Sequence, residues 1–432
     1  MAPPYHIAFT DLDGVLRGKR VSAEKYARAL EAPLGFCDVA FGWDVADEPY
    51  DHVESAAGGA GYPDAALTVD PRTERRLPWA DDEAFALGDF SEGALADACP
   101  RTLLRRVLAK AERMGYRVVA GLEYEWCCFA ETPQSLEARG GQPPRPATPG
   151  MHGYSMLRPG SLADFNRALW AQLAAFDVPL EGLHTETGPG VYEAAIAPAD
   201  ALTAADRAAC FKYATKQIAL RHGLVASFMA KWHDGLPGNG GHVHQSLVAL
   251  GGDEAGENVF ARERSLTRDR YLAGQLRYLP LLLPLLAPTA NSYKRLVPGS
   301  WAPTSMTYGA DNRTVALRVL GDRLENRIPG ADANPYLALA ASVAAGLAGI
   351  AEELPLRQAP TTGDAYAAAP RRPLARSLAE ATALLRAERT AAAGLLGGEG
   401  FVDHFLRTRD WEVRQAQRAV TDWERRRYLE II

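Results

Sequence analysis

The sequence predicts an α+β fold with a turn-rich N-terminal region and a larger unit in which charged strands alternate with long helices. Three observations predict it. The stretches 117–129, 241–249 and 315–328 are apolar runs carrying charged or imidazole side chains at i and i+2, the two-residue period of a strand. Segments near 100–115, 161–176, 203–222 and 267–287 place apolar residues at helical spacing. From about residue 335 onward, Ala, Leu and Arg dominate, as in a run of helices.

At 432 residues the chain is long enough for two or three domains and a substantial core. A net charge of −6 gives no basic footprint for nucleic acid. The most apolar run, from Leu279, is short and broken by prolines, so no membrane span is expected. Five cysteines, Cys37, Cys99, Cys127, Cys128 and Cys210, have no metal-ligand spacing and fit a reduced, cytoplasmic protein. The N-terminal MAPPYHIAF has no signal-peptide pattern.

Taken in order, residues 5–20 read as a strand, a Gly turn and a second strand. The Asp11-Leu12-Asp13-Gly14 turn resembles the opening motif of haloacid-dehalogenase phosphatases, but the remaining parts of that pattern do not follow. Up to Asp97 the chain reads as Gly-rich and irregular, with few helical periods. An amphipathic helix from Pro100 leads into RVVAGLEYEWCCF, where Glu123 and Glu125 share one face of a buried strand. Two such carboxylates repel each other unless a cation lies between them. In HTETGPGVYEAAI, a Gly-Pro-Gly turn folds Glu186 back towards Glu193. A Gly-rich loop then admits His242 and His244, again i and i+2, and GGDEAGEN (251–258) reads as irregular. The loop NSYKRLVPGSWAP carries Lys294, Arg295 and Trp301. Finally Arg323, Glu325 and Arg327 share a strand face behind Arg313 and Arg318, and PGADANPY stops the strand before a helix. Four arginines converging with one carboxylate suit a site for several anions and a metal ion better than a core.

ExE, E-x6-E, the Gly-loop HxHQSL, NSYKRLVPG and RxExR followed by NPY occur in the order and spacing of the glutamine synthetase family, and together they cover nearly the whole chain. The sequence resembles that family, which implies a β-grasp domain over 1–97 and a catalytic domain over 98–432 with a curved antiparallel sheet flanked by helices. The resemblance implies that Glu125, Glu186 and Glu193 bind one Mg²⁺ or Mn²⁺ and that Glu123, His242 and Glu325 bind another, two to three ions per site. Oxygen-rich sets of this kind suit hard divalent cations. By the same resemblance Arg313, Arg318 and Arg323 grip ATP phosphates, His244 and Ser246 lie on the nucleotide side, and Arg295, Arg327 and Gly238 hold glutamate. Arg313, Glu325 and Arg295 are the implied catalytic residues. The implied chemistry is attack of the glutamate γ-carboxylate on ATP, then displacement of phosphate from γ-glutamyl phosphate by an amine. The implied assembly is a homo-oligomer, a dodecamer of two hexameric rings.

The sequence departs from ammonia-using members at VPGSWAP, where Trp301 stands in place of the flap glutamate. Tryptophan accepts no proton and offers an apolar face with at most a cation–π contact. Arg17-Gly18-Lys19 looks like the branch that ligates glutamate to organic amines, the γ-glutamylpolyamine and related γ-glutamyl-amine synthetases. The expected activity is therefore a glutamate–amine ligase, with Trp301 at the amine side. The alternatives are a glutamine synthetase in which another acid, such as Asp44, serves ammonia, and a non-catalytic structural member of the family.

Overall fold

The computed structural model describes residues 3–50, 61–252, 255–367 and 372–432. Two sheets organise the chain. The first contains β1 (Tyr5–Thr10), β2 (Leu16–Val21), β3 (Leu34–Cys37), β4 (Asp64–Val69), β5 (Arg75–Leu77) and β6 (Glu83–Asp89), in the order β2-β1-β6-β4-β3, with β5 also paired to β6. β1 and β6 run parallel and the other pairs are antiparallel.

The expected strand–turn–strand opening is present, but the irregular stretch expected to follow it contains a helix, Ala23–Glu31, and four further strands. Only Tyr26 and Ala29 of that helix are buried, which is too sparse for an apolar period. Its start rests instead on Ser22, whose side chain accepts the backbone N–H of Lys25.

The second sheet is curled and nearly all antiparallel, and it carries the candidate site. Its strands are β7 (Tyr116–Phe129), β8 (Leu180–Thr185), β9 (Val191–Ile196), β10 (Ala199–Asp200), β11 (Val225–Ser227), β12 (Gly241–Ala249), β13 (Tyr308–Ala310), β14 (Leu317–Leu320) and β15 (Arg323–Asn326). The order is β13-β14-β15-β12-β7-β9-β8, with β10 and β11 pairing the two ends of β7. The α+β class read from the sequence is the class observed.

Helices cover the back of this sheet. Helix Pro335–Ala351 is buried on almost every side and packs against Leu266–Tyr278 and Pro100–Arg113. Asn334 caps it by accepting the N–H groups of Tyr336 and Leu337, with Pro335 in the first turn where no donor is needed. The same asparagine donates to the carbonyl of Asp11, 2.8 Å away, and so ties the N-terminal turn to the start of this helix. The helix expected over 267–287 ends at Tyr278, and Leu283–Leu286 forms a separate turn. Pro280 and Pro284 supply no N–H for a continuous ladder. Residues 253 and 254 of the GGDEAGEN loop lie outside the described residues. Among the described residues, no helix is long and apolar enough to cross a membrane.

Candidate active site

Strand register builds one row of functional side chains across the second sheet. On β7, Glu123 lies opposite His242 of β12, and Glu125 lies opposite Glu193 of β9. Glu193 in turn faces His184 of β8. On the other side, His244 of β12 faces Glu325 of β15, which faces Arg318 of β14. Residues two apart on a strand share a face, so the row projects to one side of the sheet and, His244 apart, into one cavity. Glu186 reaches that cavity from just beyond β8, before the turn through Gly188 and Gly190, both at positive φ.

Two donor groups result. Ligand atoms of Glu123, His242 and Glu325 lie within 4.8 Å of one another, and so do those of His184, Glu186 and Glu193. Glu325 is 1% exposed and His242 4% exposed. Glu125 accepts the Gly240 N–H at 2.6 Å. Burial, then the carboxylates of Glu123, Glu125 and Glu186, push the Glu193 carboxyl up to about 12. Burial also disfavours charge on Glu123, but hydrogen bonds from Glu193 and His244 hold it well below the ordinary carboxylate range. Burial, with Arg327 nearby, pushes His242 down to about 3, which leaves its imidazole neutral and able to ligate a metal. A carboxylate crowd that must keep a proton in order to coexist fits a divalent cation, and oxygen donors with one imidazole suit a hard one.

Arginines face this cluster. Arg318 donates to Glu325 at 3.0 Å and Arg327 does so at 2.5 Å. The Nε of Arg327 is buried and, among the described residues, has no hydrogen-bond partner. Buried Arg295 donates to the carbonyls of Ile328 and Arg327, at 2.9 and 3.2 Å. The Gly-rich loop is glycine because these groups crowd it. A Cβ on Gly238 would sit 2.9 Å from the Arg295 side chain, and one on Gly240 would sit 2.5 Å from His242 Nε2.

The cavity, about 430 Å³, brings together Glu123, Glu125, Glu186, Glu193, His242 and Glu325 with Gly238, Arg295, Trp301, Arg313, Arg318 and Arg327. His244, Ser246 and Arg323 line a second cavity of about 470 Å³ that shares the Glu123 wall. His244 bridges the two by its 2.9 Å contact with Glu123. Every residue singled out for the site thus lines one or the other cavity.

Asp44 lines neither of these cavities; it accepts the Trp411 indole N–H and caps the N–H groups of Ala46 and Glu48. The phosphatase-like turn is a brace, with Asp11 accepting from the backbone of Asp13 and Val15 and from Arg17 Nε. Arg17 also lies over Trp43, and Lys19 donates to Gly35. Two residues of the cavity carried no distinct sequence signal. His184 sits 3.3 Å from Glu193, and its only hint was its i−2 spacing from Glu186. Tyr154 is placed by a positive-φ loop whose position depends on Thr185.

Residues 97–428 match the family described as glutamine synthetase, catalytic domain. The chain is 46% identical over 445 residues to type-1 glutamine synthetase 2 of Dictyostelium discoideum, covering all of this chain and 84% of that one. It is 38% identical over 437 residues to a glutamate–isopropylamine ligase of a Pseudomonas species, covering 98% and 94% of the two chains. The solved GmaS/ADP complex superposes with a TM-score of 0.86 at 30% identity, covering 99% of this chain and 96% of that one. With its ordered motifs and the register that gathers them, the chain belongs to the glutamine synthetase family.

Proposed function

We propose that this chain is an ATP-dependent ligase that joins the γ-carboxylate of glutamate to an organic amine. The observation that carries the reading is the cavity itself, where five carboxylates and His242 meet four arginines beside Trp301 rather than an acid. A glutamate–isopropylamine ligase among the relatives supports an organic amine, and the ADP-bound structural neighbour supports a nucleotide beside the sheet.

In this reading Glu125, Glu186 and Glu193 hold one divalent ion, and Glu123, His242 and Glu325 hold a second, Mg²⁺ or Mn²⁺, two to three per site. When bound, the ions supply positive charge to phosphate oxygens as negative charge builds during transfer. Arg313 and Arg318 in the first cavity and Arg323 in the second grip the polyphosphate through guanidinium forks. His244 and Ser246 border the nucleotide. Arg295 and Arg327 hold the glutamate carboxylates against Gly238. The γ-carboxylate attacks the terminal phosphorus of ATP and ADP leaves, giving γ-glutamyl phosphate. The amine nitrogen then attacks the γ-carbonyl carbon, the C–O bond to phosphate breaks, phosphate departs with the electron pair, and the nitrogen sheds its proton. Closing the cavity against water protects the acyl phosphate between the two steps.

The domain division at 97/98, ring assembly into a dodecamer and a cytoplasmic location belong to the same reading. The five free cysteines, four of them buried, are in keeping with that location. A second reading, glutamine synthesis from ammonia, is favoured by the 46% identical relative. The deciding measurement is ADP release with glutamate, Mg²⁺ and either ammonium or an organic amine, with the product identified by mass. An organic γ-glutamyl amide formed faster than glutamine supports the ligase; glutamine as the faster product selects the second reading.

A further inference from the structure

Two aromatic side chains line the carboxylate cavity from strained backbone. Trp301 has φ 60° and is 60% exposed; Tyr154 has φ 55° and is 67% exposed. Large side chains rarely adopt positive φ, and such residues persist where their surroundings over-determine them. Both are over-determined here. The carbonyl of Ala302, next to Trp301, accepts the Tyr366 hydroxyl at 2.8 Å. On its other side, Ser300 donates to the carbonyls of Arg295 and Val297, at 2.7 and 2.5 Å. Tyr154 donates its backbone N–H to Thr185 at 2.7 Å, and its ring lies 4.6 Å from that of His184. The chain therefore anchors the backbone of both residues and leaves their rings open to the cavity.

Most of the carboxylates around these rings already have partners. Four of the five carboxylates in the cavity belong to the two donor groups, and Glu125 accepts from Gly240. Beyond Trp301 a further cavity of about 960 Å³ opens, lined partly by Pro360, Ala310 and Tyr366. Among the described residues its two carboxylates are Asp311, which accepts from Arg318 Nε at 3.0 Å, and Asp364, which caps the Tyr366 N–H at 2.9 Å. An aromatic face attracts one alkylammonium head and shields its hydrocarbon. A second ammonium carried into the same place would, among the described residues, have to compete with Arg318 for Asp311 or with the Tyr366 N–H for the exposed Asp364.

We propose that the acceptor is a primary monoamine with a compact apolar substituent, seated on Trp301 and Tyr154, and that diamines and polyamines are disfavoured. This rests on the ligase reading above. The test is a matched pair on the full-length enzyme, butylamine against putrescine, which differ only in the second ammonium, with isopropylamine and ammonium alongside. We expect kcat/KM for butylamine to exceed that for putrescine at least tenfold. In Trp301→Ala the KM for butylamine should rise about tenfold, with smaller changes in the KM of ATP and glutamate, and Trp301→Phe should restore most of the loss. Putrescine equal to or better than butylamine would overturn the proposal while leaving the ligase reading intact, and would point to Asp364. Ammonium better than every organic amine would remove the ligase reading and this proposal with it.

Discussion

Burial and three neighbouring carboxylates all oppose the charge of Glu193. Glu193→Gln removes that conflict and one proposed metal oxygen together. We expect its thermal midpoint without divalent ions to match or exceed that of the wild type. A ligand at one hundred times its Kd stabilises by about 2.7 kcal/mol. The increment from Mg²⁺ should shrink by more than half in the variant, and ligase activity should fall. An unchanged Mg²⁺ increment, measured by thermal unfolding, would take Glu193 out of the donor set.

Lys212 supplies a pH signal away from the cavity. Burial pushes it down to about 7, and its Nζ donates to the Ala333 carbonyl at 2.7 Å, with the Tyr124 ring 5.0 Å away. Between pH 7 and its ordinary value near 10.5, the unfolded chain binds a proton that the folded chain does not. Stability from this group therefore rises with pH across that window and is flat below it. The difference in unfolding free energy between wild type and Lys212→Met should grow in favour of the wild type by up to about 1.4 kcal/mol per pH unit there. Urea titrations at pH 6, 8 and 10 measure it. A constant difference would contradict a neutral buried lysine.

At the scale of elements, the close contact of helices 266–278 and 335–351 depends on small residues. A Cβ on Gly346 would lie 2.2 Å from the Tyr271 ring, and one on Gly274 would lie 2.3 Å from the Ala345 carbonyl. Gly346→Ala gains about 1 kcal/mol of helix propensity but overpacks a filled interface, at a cost of about 1–3 kcal/mol. We expect a net loss of stability, read from the urea midpoint. The helices themselves were legible from apolar spacing, as was the start at Asn334-Pro335. The short helix Ala23–Glu31 was not, because only Tyr26 and Ala29 of its residues are buried. The break after Tyr278 could have been read from Pro280 and Pro284, which an otherwise continuous leucine pattern obscured.

Across the whole molecule, Arg101 joins the two sheets. Its buried guanidinium pairs with Asp70, just past β4, and Asp89, at the end of β6, in the first sheet, and with Asp206 on the helix Ala201–Arg221 behind the second. Against the cost of burial, hydrogen bonds from Arg72 and Arg101 hold Asp70 well below the ordinary carboxylate range. Tyr336 closes the network by donating to Asp206 at 2.7 Å. Arg101→Met would leave three buried carboxylates short of their cation, a loss of about 3–5 kcal/mol. Denaturation should show that loss for the variant, and Asp206→Asn in the same background should recover part of it. A midpoint within experimental error of the wild type would show that Arg105 alone sustains the junction, since it also reaches Asp70 and Asp89.

What the amino-acid order determined by itself is the set of faces. Alternation along 117–129, 241–249 and 323–327 dictates that Glu123 with Glu125, His242 with His244, and Arg323 with Glu325 and Arg327 point the same way, because the period of a strand is two whatever it pairs with. Only the tertiary structure decided which of those faces meet. Register sets Glu125 against Glu193 and His244 against Glu325, bringing residues from distant parts of the chain together around two adjoining cavities. His184 enters for the same reason, and Tyr154 enters through its loop's hydrogen bond to Thr185. Their importance lies in what stands across from them, and cross-strand neighbours leave no mark on the local sequence.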